Sequence, residues 1–506
     1  MRKATSLFII LLSACFLNAK KIDTKRPNII FIFADDMGIG DVSHTTGKAA
    51  TPHLDRLAKE GMRFTDAHTS SSVCTPSRYS LLTGRYNWRT RLSHHVFVKP
   101  SDEPLIKKDE TTAASLLKQK GYHTACIGKW HLGIGWQMLD NYEKKEGHEG
   151  KGWEIDYTKP AITPTANGFD YFFGIAASLD MAPYLYIQND HAFEIPTVSK
   201  SFFSKKRLGP STESFEANKC LRDFAEQSVN YINQRAKEDK PFFLYLPLTS
   251  PHTPIVPSEK WKGKSELGKY GDFLMETDWV VGEVLKALDK HKLNENTLVI
   301  FSTDNGCSPA ARIPDLIAKG HSPNGDLRGH KADIYDGGHR VPFIVRWPAV
   351  VKAGTVTQRL TCMTDFIATC AEITATKLKD SDAVDGISFL STLKNPSYTE
   401  DRKTIVHHSI NGSFAIREGN WKLALCPGSG GWSDPRPNAS PKDAPQVQLF
   451  DLSKDIAETK NLQAQYPDKV KHLTNLLQSY VDKGRSNTGK EQKNDREINI
   501  YGLKKH

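Results

Sequence analysis

Four apolar runs in this sequence are each followed, within a few residues, by side chains that carry charge or can bind a metal ion. Continuous apolar runs are typical of strands buried on both faces of a sheet. In an open α/β sheet, ligands gather beyond the carboxyl ends of such strands, so we expect the polar residues to converge there. The pattern predicts an α/β fold with a site at one edge of the sheet. The four runs span residues 27–34, 122–127, 241–246 and 297–302.

Helical segments separate these apolar runs. After residue 395 the sequence pattern changes to short strands. Periodic apolar residues or start signals predict helices over 51–58, 111–119, 214–236 and 272–290. Beyond residue 395, short strand patterns at 414–417, 421–425 and 448–452 precede a helical pattern at 467–483. The sequence therefore predicts a large unit over 24–395, a small unit over 396–485 and a polar, disordered tail over 486–506.

The first nineteen residues read as an export signal. Arg2 and Lys3 precede an apolar run over 7–17 that is too short to cross a membrane as a mature helix. Either cleavage falls near Ala19, or Cys15 is lipidated and becomes the new N-terminus, since residues 12–15 resemble a lipoprotein cleavage box. No later stretch of the sequence is long and apolar enough to span a membrane. We expect an exported protein: periplasmic, an outer-membrane lipoprotein, or secreted.

The charge distribution and the cysteine spacing argue against a nucleic-acid-binding protein, a disulfide-rich protein and a cysteine-based metal site. The formal net charge of the 506-residue chain is +10, which favours polyanionic partners, although the basic residues are scattered. No recognition motif accompanies the charge, so no nucleic-acid partner is expected. Six cysteines lie outside the signal and the 70–85 segment, and their spacing shows neither a disulfide framework nor a metal knuckle, which predicts free, buried thiols. They are Cys126, Cys220, Cys307, Cys362, Cys370 and Cys426.

The segment over residues 70–85 holds the strongest candidate nucleophile. Thr75 and Pro76 suit the first turn of a helix, which places Cys74 at its N-terminus and Arg78 one turn later. The N-terminal backbone N–H groups and the arginine favour an anion there. From the residues alone, Cys74 is either such a nucleophile or a small buried core residue.

The residues after the apolar runs suggest a metal site and proton-transfer groups. Adjacent carboxylates at Asp35 and Asp36 need solvent or a cation, and hard oxygen ligands suit calcium or magnesium. Lys129 and His131 are two residues apart, so an extended backbone projects both to one side. Prolines on both sides of His252 stiffen its backbone. Solvated turns and loop roles remain alternatives for each of these residues.

Several of these segments resemble the sulfatase signature motifs. Residues 74–85 match Cys-x-Pro-Ser-Arg followed by Leu-Leu-Thr-Gly-Arg, 128–133 match Gly-Lys-Trp-His-Leu-Gly, and 250–254 match Ser-Pro-His-x-Pro. Residues 327–342 resemble the late sulfatase motif, with Lys331 at its catalytic lysine and Asp336 where the family often has Glu. The resemblance covers roughly residues 26–483. It implies an α/β/α sandwich with a central, mostly parallel sheet, like the alkaline phosphatase superfamily, plus a small C-terminal domain with an antiparallel sheet.

The resemblance also implies a cofactor, a modification and residue roles. Cys74 would be converted by a maturation enzyme to formylglycine, whose hydrated aldehyde is the nucleophile. One Ca²⁺ would bind Asp35, Asp36, Asp304, Asn305 and the modified residue 74. His131 would take a proton from the gem-diol, and His252 with Lys331 would assist the leaving alkoxide. Groups expected at the sulfuryl group or substrate are Arg78, Lys129, His252, Lys331 and Ser178, the last of which is equally a turn or capping serine. His339 and Arg340 are expected to support the fold.

The expected substrate is a sulfated polysaccharide or its oligosaccharides, and the aromatic-rich loop over 141–164 is a candidate specificity element. Three alternatives stay open at this stage. A phosphonate or phosphodiester hydrolase of the same superfamily can carry the same nucleophile motif. An unmodified, inactive glycan-binding lipoprotein is the second. A zinc phosphatase is the third and the weakest, because the additional His and Asp ligands of that branch are not apparent.

Overall fold

The central strand of the sheet, β1 (Asn28–Asp35), explains the layering of the molecule. Ile29, Phe31 and Phe33 point into one apolar cluster, while Ile30 and Ile32 point into another on the opposite face. Alternate side chains of a strand face opposite sides of the sheet, so both faces of β1 are buried under helices. The computed structural model describes residues 23–45, 47–437, 439 and 444–502. The predicted signal segment 1–19, with Cys15, lies outside the described residues.

Ten strands form the main sheet in the order β13-β2-β12-β11-β1-β10-β4-β5-β6-β7. The five strands from β11 to β5 run parallel, and β12, β6 and β7 run antiparallel to their neighbours. This arrangement confirms the predicted mostly parallel sheet. The remaining strands of the sheet are β2 (Met62–Phe64), β4 (His123–Lys129), β5 (Tyr171–Ile175), β6 (Ile187–Gln188), β7 (His191–Ala192), β10 (Phe242–Pro251), β11 (Thr297–Thr303), β12 (Phe343–Arg346) and β13 (Thr355–Thr357). Two small pairs join β3 (Ala67–His68) to β14 (Thr361–Cys362) and β8 (Val198–Lys200) to β9 (Gly209–Ser211).

Helices cover both faces of the sheet, as the sandwich prediction requires. Four helices, α1, α4, α5 and α6, contribute buried residues to the cluster that contains Ile30. Four others, α2, α3, α8 and α9, contribute to the cluster that contains Phe31. The helices are α1 (Pro52–Lys59), α2 (Cys74–Thr83), α3 (Ala113–Gln119), α4 (Cys220–Arg235), α5 (Lys269–Lys290), α6 (Ile313–Ala318), α7 (Asp336–His339), α8 (Asp365–Ile373), α9 (Leu390–Lys394) and α10 (Pro467–Asp482). None of those in the described part of the chain is long and apolar enough to cross a membrane.

The predicted C-terminal antiparallel sheet is present. It contains β15 (Thr404–His408), β16 (Phe414–Glu418), β17 (Trp421–Ala424) and β18 (Gln448–Asp451) in sequential order, and α10 packs on it. The prediction of a disordered tail is wrong for the residues that are described, up to 502. Arg485 is buried and bonded to several carbonyls, and Ile498 and Ile500 join the apolar cluster of the small sheet. A composition-based expectation of disorder could not anticipate these long-range contacts.

Two helix starts differ from the prediction. Thr51 precedes α1, but its hydroxyl accepts a hydrogen bond from the Ser43 N–H instead of capping the helix. The first N–H groups of α1, from His53 and Leu54, donate to the Asp278 carboxylate on α5. Helix α4 begins at Cys220 and not at residue 214, because a short 3-10 turn occupies residues 217–219. The six cysteines predicted to be free are all free and buried.

Buried charges connect the small sheet to the large unit. Lys422 on β17 lies 2.8 Å from Asp336 and 2.7 Å from Glu458, and all three side chains are fully buried. Arg417 on β16 lies 2.7 Å from Asp66, which precedes β3. His339 contacts Lys422 in this network, which agrees with its expected role in supporting the fold. Removing one partner of a buried pair leaves an uncompensated charge, so these contacts tie the two units firmly together.

Lys422→Ala should lower the free energy of unfolding by about 3–5 kcal/mol, because Asp336 and Glu458 would lose their buried cation. Lys454→Ala is the matched control, since Lys454 pairs with Asp451 while 81% of its side chain is exposed and surface pairs contribute little. Urea unfolding followed by circular dichroism measures both variants. Equal effects of the two substitutions would contradict this account.

Candidate active site

Acidic side chains from two neighbouring parallel strands meet at the carboxyl edge of the sheet. Asp35 ends β1 and Asp36 follows it, while Asp304 and Asn305 follow β11, and all four are buried. The Asp36 N–H donates to Asp304 Oδ1 at 3.2 Å, and Asn305 Nδ2 donates to Asp36 Oδ1 at 2.7 Å. The predicted convergence of these residues is therefore present in the fold.

Three cations from other segments compensate these carboxylates. Lys129, which ends β4, places its Nζ 2.6 Å from Asp35 Oδ2, and Lys331 Nζ lies 2.7 Å from Asp36 Oδ1. Arg78 on α2 places its Nη2 2.7 Å from Asp304 Oδ2. Because these pairs are buried, each cation offsets much of the cost of burying its partner.

The carboxyl groups titrate differently because of these neighbours. Burial alone would raise the pKa of Asp35, but Lys129 and His252 hold that pKa well below its usual range. Burial and the neighbouring Asp35 raise the pKa of Asp304 to about 7, despite Arg78. The site thus contains several neighbouring carboxylate oxygens, and a further cation would reduce the repulsion between them.

Cys74 is the first residue of α2, as the sequence predicted, and Val73 is the N-cap. The helix ends at Gly84, which has φ 67° and lies so close to Ala383 that a Cβ would approach its Cα to 2.8 Å. Every residue of α2 is buried. The buried helix therefore holds the side chain at position 74 in a fixed position.

The His131 side chain lies within hydrogen-bond distance of Cys74. Its Nδ1 lies 3.3 Å from Cys74 Sγ, and its Nε2 lies 2.8 Å from the Phe97 carbonyl oxygen. The carbonyl can only accept, so Nε2 carries the proton and Nδ1 is left as an acceptor facing Cys74. Burial and the Lys129 charge lower the pKa of His131 well below its ordinary value. A neutral imidazole with this tautomer is suited to take a proton from the group at position 74.

The thiol itself is a poor nucleophile in this setting. Burial raises the pKa of Cys74, although Lys129 and Lys331 act in the opposite direction. The thiolate, not the thiol, is the reactive form of cysteine. An unmodified Cys74 thiol is therefore less reactive here than an exposed thiol would be.

His252 approaches the same centre from the end of β10. Its Nε2 lies 3.7 Å from Asp36 Oδ2, and its Nδ1 donates to the Thr253 carbonyl at 2.5 Å. Ser178 follows β5 and is also buried, with no hydrogen-bond partner for its hydroxyl among the described residues. His252 therefore lies beside Asp36 at the carboxyl edge of the sheet, while a role of Ser178 at the substrate stays a prediction.

Arg78 differs from the expectation for a group at the sulfuryl oxygen atoms. Its Nε and Nη2 donate to Asp304, and its Nη1 donates to the Lys129 carbonyl. The guanidinium is therefore used to position Asp304 and the end of β4. Sequence reasoning also missed Phe97, because a backbone carbonyl that selects a histidine tautomer leaves no signal in the side-chain pattern.

Three residues of the site hold left-handed backbone conformations although none is glycine. They are Asp36 with φ 67°, His131 with φ 57° and Ala332 with φ 82°, the last of which follows Lys331. Such conformations are costly and persist where the surrounding structure over-determines them, often at functional sites. The strained positions lie within one residue of proposed metal-binding or catalytic side chains.

The family profile described as Sulfatase matches residues 27–376. The chain belongs to the sulfatase family. It is a sulfuric ester hydrolase. This sulfatase is 34% identical to the N-acetylgalactosamine-6-O-sulfatase of Bacteroides thetaiotaomicron over 530 residues, covering 93% of this chain and 97% of the relative. It is 32% identical to human arylsulfatase A over 464 residues, covering 87% of this chain and 83% of the relative.

A solved structure supports the same assignment at the level of the fold. This sulfatase superposes with a TM-score of 0.78 on a B. thetaiotaomicron sulfatase solved in a study of glycosaminoglycan metabolism. The two chains are 32% identical, and the match covers 90% of this chain and 99% of that one. The expected sulfatase fold is confirmed.

The family implies a bound Ca²⁺, and the residues present fit one. Asp35 Oδ1 and Asn305 Oδ1 are buried oxygens without a hydrogen-bond partner among the described residues, although such atoms are normally satisfied. Asp35, Asp36 and His252 place one potential ligand atom each within 4.8 Å of one another. A donor set dominated by carboxylate and amide oxygens suits a hard cation.

Adding Ca²⁺ to chelator-treated enzyme should raise its unfolding temperature, because an ion that binds only the folded state stabilises it by about 2.7 kcal/mol at a hundredfold excess over Kd. Asn305→Ala should reduce this shift by removing an unpaired oxygen ligand. Differential scanning fluorimetry measures both proteins.

Asp315→Asn is the control for the calcium experiment, since Asp315 is exposed on α6 and pairs with Arg312. This variant should respond to Ca²⁺ as the unsubstituted protein does. A wild-type unfolding temperature that is unchanged by Ca²⁺ would contradict the assigned site.

Proposed function

We propose that this sulfatase removes sulfate from a sulfated glycan by using a formylglycine made from Cys74 and a calcium ion. The observation that carries the proposal is the position of His131 Nδ1, 3.3 Å from Cys74 Sγ, among buried cations that compensate three carboxylates. This arrangement pairs a proton acceptor with the nucleophile position and surrounds both with positive charge.

Formylglycine at residue 74 resolves the poor reactivity of the buried thiol. The Sγ atom then stands in for an oxygen of the hydrated aldehyde. When present, this group supplies one hydroxyl as the nucleophile and a second from which the aldehyde can be regenerated. A maturation enzyme that oxidises Cys74 is the implied partner.

Calcium would be held by Asp35, Asp36, Asp304, Asn305 and residue 74. Bound there, it would supply positive charge to a sulfate oxygen and lower the pKa of the adjacent hydroxyl. The unpaired oxygens of Asp35 and Asn305 are the support for this assignment within the chain itself.

The protein side chains divide the remaining work. His131 accepts a proton at Nδ1 from residue 74, while its Nε2–H stays on the Phe97 carbonyl. Lys129 and Lys331 present positive charge to the sulfuryl oxygens, and Arg78 holds Asp304 in place. His252 and Lys331, which keep 6% and 5% of their surface exposed, donate hydrogen bonds to the leaving oxygen.

A glycan substrate is supported by the relatives and by the exposed surface near the site. The B. thetaiotaomicron relative is an N-acetylgalactosamine-6-O-sulfatase. Trp432 is 41% exposed, and its backbone N–H donates to Asp333 at 2.7 Å, two residues from Lys331. The exposed indole is carried by a loop that is hydrogen-bonded to the segment of Lys331, and an exposed indole suits the apolar face of a sugar ring. Export of the enzyme stays a prediction.

Cys74→Ala should abolish sulfate release from sulfated oligosaccharides, because the variant cannot form the nucleophile. Ion chromatography measures the sulfate, and mass spectrometry of the peptide containing residue 74 detects formylglycine in the active protein. Cys370→Ala, which removes another buried free thiol on α8, is the control and should remain active. Retained turnover in Cys74→Ala would overturn the mechanism.

His252→Ala should slow hydrolysis of a sugar sulfate about 10²- to 10⁴-fold, because a sugar alkoxide needs a proton donor as it leaves. The loss should be much smaller with nitrophenyl sulfate, whose phenolate leaves without protonation. His472→Ala, at an exposed position of α10, should leave both rates unchanged. A His252→Ala loss of the same size on both substrates would argue against leaving-group assistance.

A further inference from the structure

Helices α4 and α5 form the sides of a groove that none of the proposed catalytic residues lines. Its volume is about 780 Å³, which is within the range of pockets that bind small molecules. Side chains three or four residues apart lie on the same face of a helix, and each helix presents one such row to the groove. The rows contain Arg222 and Glu226 on α4, and Glu276, Trp279 and Glu283 on α5. We call this cavity the α4–α5 groove.

The α4–α5 groove lies beside the turn that carries His252. Ser250, two residues before that histidine, places its hydroxyl 2.6 Å from the Thr277 hydroxyl on α5. The loop after His252 lines the groove as well, because Ser258 donates its N–H at 2.8 Å and its hydroxyl at 2.6 Å to the Glu276 carboxylate. The loop that leaves the catalytic edge of the sheet therefore also forms part of the groove.

Two tryptophans line the groove, and one lysine lies over both indole rings. Lys260 Nζ is 5.4 Å from the ring centroid of Trp261 and 5.0 Å from that of Trp279, within the range of a cation–π contact. Both indoles are half-buried, and Trp279 packs against the apolar cluster that contains Ile30. Half-buried indoles in a cavity with polar neighbours suit the apolar face of a sugar ring.

The acidic groups of the groove are already compensated. Burial raises the pKa of Glu276, although Ser258 and Lys260 act in the opposite direction, so this carboxyl resists ionisation. The other three glutamates form ion pairs, which are Glu226 with Arg222, Glu259 with Lys262 and Glu283 with Lys286.

Two lysines of the groove are not compensated in this way. Neither Lys219 nor Lys260 has a carboxylate within ion-pair distance among the residues that the structure describes. Both are exposed, and Lys260 is held over the indole rings instead. The charge that remains in the groove is therefore positive, which favours an anionic ligand.

We propose that the α4–α5 groove is a second, non-catalytic binding site for a sulfated glycan. A sugar ring stacks on Trp261 or Trp279, and its sulfate group pairs with Lys260. The choice of ligand rests on the proposed glycan sulfatase function, and the inference adds a site that holds a more distant part of the same chain. A chain held at two sites binds more tightly than one held at the catalytic site alone.

The test measures binding to protein that carries Cys74→Ala and cannot turn the ligand over. Isothermal titration calorimetry uses chondroitin 6-sulfate chains as the probe. Adding Trp261→Ala and Trp279→Ala together should weaken binding about 10- to 100-fold, because avidity from the second site is lost. Trp421→Ala is the matched control and should bind as the parent does, since Trp421 is also half-buried and has Lys469 5.9 Å from its ring centroid, but it lies on the small sheet.

Lys260→Gln tests recognition of the sulfate. It should weaken binding of chondroitin 6-sulfate about tenfold, in line with loss of a charged hydrogen bond, and leave the affinity for unsulfated chondroitin unchanged. Lys290→Gln, at the exposed end of α5, should affect neither ligand. With Cys74 intact, the tryptophan double variant should hydrolyse nitrophenyl sulfate at the unsubstituted rate, since the groove is outside the catalytic residues.

Unfolding temperatures check that the variants fold, and Trp261→Ala alone, in the loop after β10, replaces the double variant if loss of Trp279 destabilises the core. Unchanged affinity for chondroitin 6-sulfate in the tryptophan variants would overturn the inference, as would the absence of binding by the Cys74→Ala parent. Equal weakening on sulfated and unsulfated chains in Lys260→Gln would overturn the assignment of the sulfate. By contrast, failure of the unsubstituted enzyme to release sulfate from any ester would contradict the proposed function and not the groove.

Discussion

Three buried carboxylates at one edge of the sheet are the constraint on which the arrangement of this site depends. Asp35, Asp36 and Asp304 sit at the edge of the sheet because β1 and β11 run parallel and end together. Such a cluster is tolerated only with compensating charge. Lys129, Lys331 and Arg78 supply that charge from separate segments of the chain. The active site therefore requires the complete α/β arrangement and cannot be formed by any one segment.

The geometry around the nucleophile position depends on backbone groups as much as on side chains. The Phe97 carbonyl selects the His131 tautomer, and the Lys129 carbonyl receives Arg78. The Ala332 N–H donates to the Ser72 carbonyl at 2.8 Å, which ties the lysine-bearing loop to the segment before α2. Left-handed conformations at Asp36, His131 and Ala332 are held by this dense set of contacts. Rigid placement of the reacting groups is what such a site needs for catalysis.

The central strands and the start of the helix at Cys74 could be predicted from sequence, because each depends on a pattern of neighbouring residues. Apolar runs predicted the central strands, and the motif around Cys74 predicted the start of α2. The partner of Arg78 and the cap of α1 by Asp278 could not be predicted. Each depends on contacts between segments far apart in the chain, which hydrophobic periodicity does not record. The packed segment after Gly484 was missed for the same reason, since its polar composition resembles that of disordered chains.

The small C-terminal sheet and its loops contact the segment that carries Lys331. The Ile334 N–H donates to the Ser429 carbonyl at 2.7 Å, and the Trp432 and Ser433 N–H groups donate to Asp333. The loop before β18 is thus hydrogen-bonded to the segment that carries Lys331. Lys422 holds the following helix α7 through Asp336. A substitution that disrupts the small sheet is therefore expected to disturb the segment that carries Lys331, which would link the stability of this interface to the placement of that lysine.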